Sequence, residues 1–372
     1  MSLSADFPFQ RVLDSINDGI YVTDLERRIL YWSRSAEAIT GWSANEVVGR
    51  KCGDNLLNHV DKDNHALCGE EFCPLHRAMA TGKSSASPLL IFAQSKKGPR
   101  IPVQVSVAPI RNQAGEIVGG IENFRNYSEL FKELQHAQKI QRQALVFDVP
   151  EDPRIRIRTH YIPHNLVGGD FYAIEPIDQD RYGVLLADVK GHGISSALYT
   201  MHFKSLYEEY KHLCSSPDQF VETINNRMYK LFRDNQSFAT AMYAHIDLAA
   251  RRLTLVSAGN PCPLHISPSG RFREIRCSGF ALGMKENSKY ESIYLYLEKG
   301  DRLLFVTDGA LEIFDADHCL LDTDGLVDLL QSMDYPQTAV SLEAVEKALL
   351  HYSDQIRLED DLTMIEIHYT GD

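Results

Sequence analysis

Leu185-Leu186-Ala187-Asp188-Val189-Lys190-Gly191-His192-Gly193 runs from a continuously apolar stretch into an aspartate and then into a turn. An apolar run of this length reads as a strand buried on both faces. The glycines after it let the chain turn sharply into a helix. The same order recurs at Leu303-Leu304-Phe305-Val306-Thr307-Asp308-Gly309. Two more aspartates sit beside turns: Asp170, after Gly168-Gly169, and Asp360, ahead of the run Leu362 to His368. Converging strand ends would crowd these carboxylates, and their repulsion is relieved if cations lie between them. Carboxylates, carbonyl oxygens and waters suit Mg2+ or Mn2+. Two such ions roughly 3.5–4 Å apart can hold a phosphoryl oxygen and activate a water, with no side-chain nucleophile required. Asp-Gly is also simply a good turn dipeptide. The residues alone therefore leave a metal site and ordinary turns both open.

Working outward, Ile155 to Arg158, Tyr182 to Ala187, Arg252 to Ser257, Arg302 to Thr307 and Leu362 to His368 read as strands. Helices fit at 195–213, 217–233 and 338–352. The order is mixed and not strictly alternating, which favours a layered α+β sandwich over residues 148–372. Upstream, 127–147 is rich in Leu, Glu, Gln, Lys and Ala and is closed by Pro150 and Pro153. It reads as one helix. Leu130, Leu134, Ala137 and Ala144 follow heptad-like spacing with Gln141 interrupting the seam, so it is either a spacer or a short coiled coil that supports a homodimer. Residues 8–126 form a smaller α+β pattern. Its strand candidates are Ile20 to Thr23, Ile29 to Trp32, Leu89 to Gln94, Ile101 to Ala108 and Ile117 to Phe124.

The 372 residues suggest about two domains. Hydrophobic residues make up 44% and charged residues 24%, enough for real cores. The net charge of −13 is uneven. Residues 1–126 hold 14 basic and 14 acidic residues, so the remainder holds 24 basic against 37 acidic and carries all of it. An acidic second half argues against a nucleic-acid surface and fits cation binding, although a solvated acidic face explains it equally. Apolar runs fall short of the ~18–20 residues of a membrane helix, and no basic-then-apolar leader is present, so no membrane is expected. Seven scattered cysteines do not read as a disulfide framework and suggest a reducing cytoplasm. Cys214, Cys262, Cys277 and Cys319 read as standing alone, with no zinc-like spacing.

LVGGDFY, ADVKGHG, FVTDGALE and DDLTMI occur in that order. Together they resemble the SpoIIE/RsbU-type branch of the PPM (type 2C) metal-dependent serine/threonine phosphatases. The resemblance covers about residues 137 to 372 and includes Ala137 to Gln141, Ser237 to Ala241 and Ser257 to Pro261. It implies two antiparallel sheets covered by helices, and a pair of Mn2+ or Mg2+ ions that hydrolyse phosphoserine or phosphothreonine on proteins. By position it implies Asp188 as the bridging ligand with the Val189 carbonyl beside it, Asp170 on one metal, and Asp308 and Asp360 on the other. Asp361 is the second choice for that last ligand. It also implies Asp188 and Asp170 as the catalytic pair. Two departures stand out: Lys190, where the branch often has a small residue, and Asn260, where a His is common. Lys190 is either a cation near the phosphate or a solvent-facing side chain. His192 is either a general acid or a turn-stabilising imidazole.

DSINDGIYVTDLERRILYWSRSAEAITGWSANEVVGR resembles the start of a PAS sensor domain, a fold that binds small ligands or pairs with another copy. Within it, Cys52, Cys68 and Cys73 lie near His59, His65 and His76 in sequence. These could hold a metal, an iron–sulfur cluster or haem, act as a redox sensor, or simply be unligated cysteines. An aromatic core around Phe92 and Phe124 could hold an apolar ligand or be only a core.

The reading is a cytoplasmic sensor phosphatase in which a PAS signal alters the helix and then the metal-dependent domain. Family resemblance implies a phosphorylated anti-anti-sigma (STAS-type) protein as substrate. The alternatives are a PAS-controlled scaffold that binds a phosphoprotein without catalysis, and a PAS domain that serves only for dimerisation.

Overall fold

The computed structural model describes residues 9–62, 64–69, 72–85, 89–145, 151–191, 193–232, 237–315, 318–338, 340–353 and 358–371. The chain divides into two compact units, 1–133 and 134–372. His192 lies outside the described residues.

The first unit opens with α1 (Phe9–Asp14), followed by β1 (Gly19–Thr23), β2 (Ile29–Trp32), α2 (Arg34–Thr40), α3 (Ala44–Val47) and α4 (Pro74–Thr81). Three longer strands complete it: β3 (Leu89–Ala93), β4 (Ile101–Arg111) and β5 (Ile117–Asn126). They form one antiparallel sheet in the order β2-β1-β5-β4-β3. Ser33 caps α2 through its hydroxyl, and Gly41 ends it at φ 76, a left-handed conformation suited to glycine. Tyr21, Trp32 and Phe124 pack ring to ring at 5.6–6.4 Å in the core. Phe92 packs edge-on against Phe131. The aromatic residues are thus partnered with one another, as a core requires.

Helix α5 (Ser128–Ala144) follows and runs across the division between the units. Its one buried residue is Gln141, while Leu130 is exposed.

The second unit has two five-stranded antiparallel sheets. One contains β7 (Asp170–Pro176), β8 (Arg181–Val189), β9 (Ala239–Asp247), β10 (Arg252–Ala258) and β13 (Ile293–Tyr296), in the order β13-β10-β9-β8-β7. The other contains β6 (Ile155–Ile162), β11 (Leu264–Ile266), β12 (Phe272–Glu274), β14 (Arg302–Val306) and β15 (Leu362–Tyr369), in the order β12-β11-β14-β15-β6. Val184, Leu186, Met242, Leu303, Phe305, Ile365 and Ile367 fill the space between the sheets. The outer face of the first sheet packs on α6 (Ile194–Tyr210) and α7 (Pro217–Phe232) through Leu185, Ala187, Phe203, Phe220 and Ile224. The outer face of the second packs on α8 (Asp322–Ser332) and α9 (Leu342–Ser353) through Leu304, Val306, Leu326, Val345 and Leu349. Both faces of each sheet are covered, which is why 184–187 and 303–306 lack polar alternation.

Sequence patterning misses β7, β9, the short strands β11, β12 and β13, and α8. Gly325 and the first-turn aspartates Asp322 and Asp324 hide the helical period of α8, and β7 begins on Asp170 itself, where charge and glycines suggest only a turn. Among the described residues no helix is long and apolar enough to cross a membrane.

Candidate active site

The ladder between β7 and β8 sets Asp170 directly opposite Asp188. In the other sheet, β14 and β15 pair Val306 with Met364, which brings the residues just beyond β14 beside those just before β15. Asp308 starts a short 3-10 turn there, and Asp360 and Asp361 precede β15. Gly309 permits this approach: a Cβ on it would lie 1.9 Å from the Asp361 carbonyl oxygen. The two pairs of strand ends meet through Asp170. Its Oδ2 accepts hydrogen bonds from the Thr307 hydroxyl at 3.0 Å and from the Thr363 hydroxyl, both supplied by the opposite sheet.

The acids stand in one another's fields. Asp170 is 1% exposed, and its Oδ1 has no hydrogen-bond partner. Burial, reinforced by Asp188 and Asp361, pushes its carboxyl well above the usual range. Burial, then Asp308 and Asp360, pushes Asp188 up to about 7. Burial, then Asp360 and Glu312, pushes Asp308 up to about 6. A buried acid oxygen with no donor is costly, because it loses water without replacement. A hard divalent cation is the natural counter-charge for these crowded acids, and the donor set of carboxylates and carbonyls matches Mg2+ or Mn2+. Among the described residues no three His, Cys, Asp or Glu side chains close on one point. The fit is therefore to hard ions whose shells mix these carboxylates with carbonyls and water.

The neighbouring acids Asp360 and Asp361 have different surroundings. Asp361 is buried, and both its oxygens take backbone amides: Oδ1 accepts from His164 N–H at 2.6 Å and Oδ2 from Gly169 N–H. It braces the loop that carries Asp170. Asp360 is only half-buried, caps the Asp361 amide with its Oδ1 at 2.8 Å, and acts electrostatically on both Asp188 and Asp308. The carbonyl of Val189 faces Gly169, where a Cβ would come within 2.7 Å of it. Glycine is thus required for the Asp170 loop to lie along β8.

Several positioning residues escape the sequence reading. Gln141 grips Gly168 with both ends of its amide: Nε2 donates to the carbonyl at 2.6 Å and Oε1 accepts from the N–H at 3.1 Å. The interruption of the heptad seam is thus a docking contact at the Asp170 loop. Thr200 donates its hydroxyl to the Gly169 carbonyl at 2.8 Å. Asn260 donates from Nδ2 to Val306 O at 3.1 Å, steadying the strand end before Asp308. Thr307 directly precedes Asp308 and Thr363 lies two positions after Asp361, the one signal by which they could have been found. Lys190 is exposed and lies 5.3 Å over the Phe238 ring.

The cysteine readings need one correction. Cys262 and Cys277 do not stand alone: their sulfurs are 3.7 Å apart, because the β11–β12 hairpin between them returns the chain on itself. Cys214 is buried and Cys319 exposed. In the first unit, Cys68 accepts the His59 N–H at 3.1 Å, while His59 Nε2 lies 3.7 Å from Glu122 Oε1. Burial pushes the Cys52 and Cys68 thiols up, to about 12 and about 11. Cys73 is buried, and burial together with Glu122 keeps Cys52 and Cys68 as neutral thiols. His65 is exposed and pairs with Asp61 at 3.0 Å, apart from this group, and His76 is half-buried.

Two stacked antiparallel sheets between helical layers, with acids at their converging ends, define a PPM-type phosphatase fold behind a PAS fold. The chain belongs to the stage II sporulation protein E (SpoIIE) family, whose model matches residues 178–370, and the PAS fold model matches residues 9–123. The SpoIIE match begins after Asp170, so the partner of Asp188 in the ladder is identified here by geometry. Phosphoserine phosphatase RsbP of Bacillus subtilis is 31% identical over 235 residues, covering 62% of this chain and 56% of the relative. The chain thus matches little more than half the length of that relative. Phosphoserine phosphatase RsbU of the same organism is 25% identical, covering 64% of this chain and 70% of the relative. Among solved structures, the SiaA-PP2C domain of Pseudomonas aeruginosa has the same fold at a TM-score of 0.55 and 21% identity, covering 65% of this chain and 97% of that one. The RsbU and RsbW domains of Rv1364c from Mycobacterium tuberculosis align at a TM-score of 0.52 and 21% identity, covering 62% of this chain and 64% of that one.

Proposed function

We propose that the chain is a metal-dependent protein serine/threonine phosphatase whose PAS domain, over 8–126, regulates the catalytic domain over 148–372. The observation that carries this is the meeting of Asp170, Asp188, Asp308 and Asp360 at the ends of two sheets, with a buried oxygen of Asp170 left without a donor. Asp188, opposite Asp170 and in the field of both Asp308 and Asp360, is the residue suited to share two ions, with the Val189 carbonyl beside it. Asp170 serves one ion; Asp308 and Asp360 serve the other. Asp361 braces the loop through two amides. When bound, a Mn2+ or Mg2+ pair supplies Lewis-acid polarisation of a phosphoryl group and a water of lowered pKa.

The chain's own residues prepare that chemistry. Thr307 and Thr363 orient Asp170 from the opposite sheet through its Oδ2, and its Oδ1, which has no donor, would be available to a cation. The raised carboxyls of Asp188 and Asp308 must lose protons as ions bind, so binding strengthens as pH rises through about 6 to 7. The substrate class is a phosphoserine or phosphothreonine on a regulatory protein; the RsbP and RsbU relatives are named phosphoserine phosphatases, which supports the phosphoserine part of this reading. An anti-anti-sigma STAS-type partner is the specific substrate we favour. The helix over 127–147 is the element suited to carry the signal, since its Gln141 holds the Asp170 loop.

The test is hydrolysis of p-nitrophenyl phosphate and a phosphoserine peptide by the full chain with Mn2+, Mg2+ or chelator. Metal-dependent activity is expected, with loss in Asp188→Asn at unchanged fold. Retention of a phosphoprotein without hydrolysis under every metal condition would replace this reading with that of a binding scaffold.

A further inference from the structure

Outside the acidic site, the second unit holds a pair of thiols that no step of the phosphatase reading uses. Cys262 follows β10 and Cys277 follows β12, and the hairpin β11–β12 lies between them. Its ladder pairs Leu264 with Glu274, and a further bond from Ile275 N–H to Pro263 O at 2.9 Å continues it toward the cysteines. The two sulfurs are consequently 3.7 Å apart and both half-buried, so small solutes can reach them. The Cys277 N–H donates to Cys262 Sγ at 3.3 Å, and the Cys277 thiol donates to the same sulfur. Cys262 in its thiol form donates to the Cys277 carbonyl at 3.1 Å. A disulfide needs sulfurs about 2.05 Å apart, so closure asks for a shift of under about 2 Å in two side chains.

We propose that Cys262 and Cys277 form a peroxide-reactive dithiol that closes to a reversible disulfide, with Cys262 attacking and Cys277 resolving. The hydrogen bonds from Cys277 favour the thiolate at Cys262 and lower its pKa, while the shared proton stays on Cys277, whose thiol is raised. Arg276 adds to this stabilisation of Cys262, and Glu274 opposes it. The Cys262 sulfur attacks one oxygen of a hydroperoxide. An S–O bond forms, the O–O bond breaks, and the departing oxygen takes a proton to leave as water. The Cys277 sulfur then attacks the sulfenic sulfur. The S–S bond forms, the S–O bond breaks, and the Cys277 proton leaves with the oxygen as a second water. Two thiols are oxidised by two electrons and one hydrogen peroxide is reduced to two waters. A bound soft metal is a poorer use of the pair, because among the described residues no third His, Cys, Asp or Glu joins it.

The experiment treats the reduced full chain with a small excess of hydrogen peroxide, blocks remaining thiols and maps peptides without reduction. The expected product is a peptide pair joined through Cys262 and Cys277, lighter by two hydrogens and released by dithiothreitol. In Cys277→Ser a sulfenic acid trapped by dimedone is expected on Cys262. In Cys262→Ser, Cys277 should react at least about tenfold more slowly than Cys262 does in Cys277→Ser. Absence of the joined peptide in the unsubstituted chain overturns the dithiol, and that measurement needs no variant. Equal reactivity of the two sulfurs in the single variants overturns the assignment of roles.

Discussion

Each of the two units buries a carboxylate, and the contrast between them separates a structural acid from a metal-seeking one. In the PAS unit, Glu122 is 1% exposed and accepts a hydrogen bond from Tyr21 Oη at 3.0 Å, with His59 nearby. Burial pushes Glu122 up to about 8 and His59 down to about 4, so both are neutral near pH 7. That environment lets the acid keep its proton among neutral neighbours. In the phosphatase unit the neighbours of Asp170 and Asp188 are other acids, and neutralising one leaves the rest. A third buried acid, Glu366, shows the remaining solution. Burial works upward, but Tyr335, Arg158 and Arg302 outweigh it and hold the carboxyl below its usual range. Of these three settings, the Asp170 group is the one in which buried acids face other acids, and that crowding is the physical case for cations.

The strongest attempt to break this contrast is Asp188→Asn. Activity should fall by about a thousandfold or more, because the ligand suited to serve both ions is lost. The same change should stabilise the metal-free protein at pH 7. A carboxyl raised to about 7 contributes stability that is full below the unfolded value and lost as pH rises, so removing it recovers on the order of 1–3 kcal/mol. Activity assays and thermal melts in chelator read the two effects, and unaltered metal-free stability would count against crowding at Asp188.

The PAS acid offers the matched comparison. Glu122→Gln keeps the shape and the Tyr21 contact without a titratable proton. Stability of the original chain should fall between about pH 5 and pH 8 as the unfolded glutamate ionises and the folded one does not. The variant should be flatter, gaining on the order of 1–3 kcal/mol at pH 8 relative to pH 5. His59 works in the opposite sense at lower pH, since its depressed pKa makes stability rise with pH from about 4 to about 6.5. Melts across pH on both proteins locate the windows.

Smaller effects test the scaffold around Asp170. Thr363→Val removes one of its two hydroxyl donors, and kcat should drop about tenfold with fold retained, the size expected for one charge-assisted hydrogen bond. A drop confined to KM would instead locate Thr363 in substrate binding. Gln141→Leu leaves the Gly168 N–H without its Gln141 partner and the Gly168 carbonyl with only the Thr200 hydroxyl at 3.4 Å, and should cost about 1–2 kcal/mol of stability of the second unit, with a few-fold loss of activity. Urea titration alongside the assay separates the two.

Much of this architecture was readable from patterning. The helix following 194 is legible only as a long run free of Gly and Pro, while the buried runs at 184–187 and 303–306 and the amphipathic helix following 217 have patterning strong enough to survive without tertiary information. Strand β7 did not, because its first residue is a charged site residue preceded by two glycines. Asp170 was legible as a candidate but not as the ladder partner of Asp188. Adjacent carboxylates at 360 and 361 are equivalent to any sequence pattern, and only the fold gives them different partners. Cys262 and Cys277, fifteen positions apart, looked unrelated because sequence spacing does not reveal where a hairpin returns.

By itself the sequence determined the class of each unit, the four aspartates and the glycines that let backbone pass close to them. Residue type and period encode burial and turn geometry locally, which is why these could be read in one dimension. Tertiary structure alone decided which acids face one another, which oxygen of Asp170 is left without a donor, that Gln141 grips Gly168, and that two distant thiols meet. Those are consequences of strand register and sheet-on-sheet stacking. They bring together residues as distant as Asp170 and Thr363, 193 positions apart, and no local pattern records such a meeting.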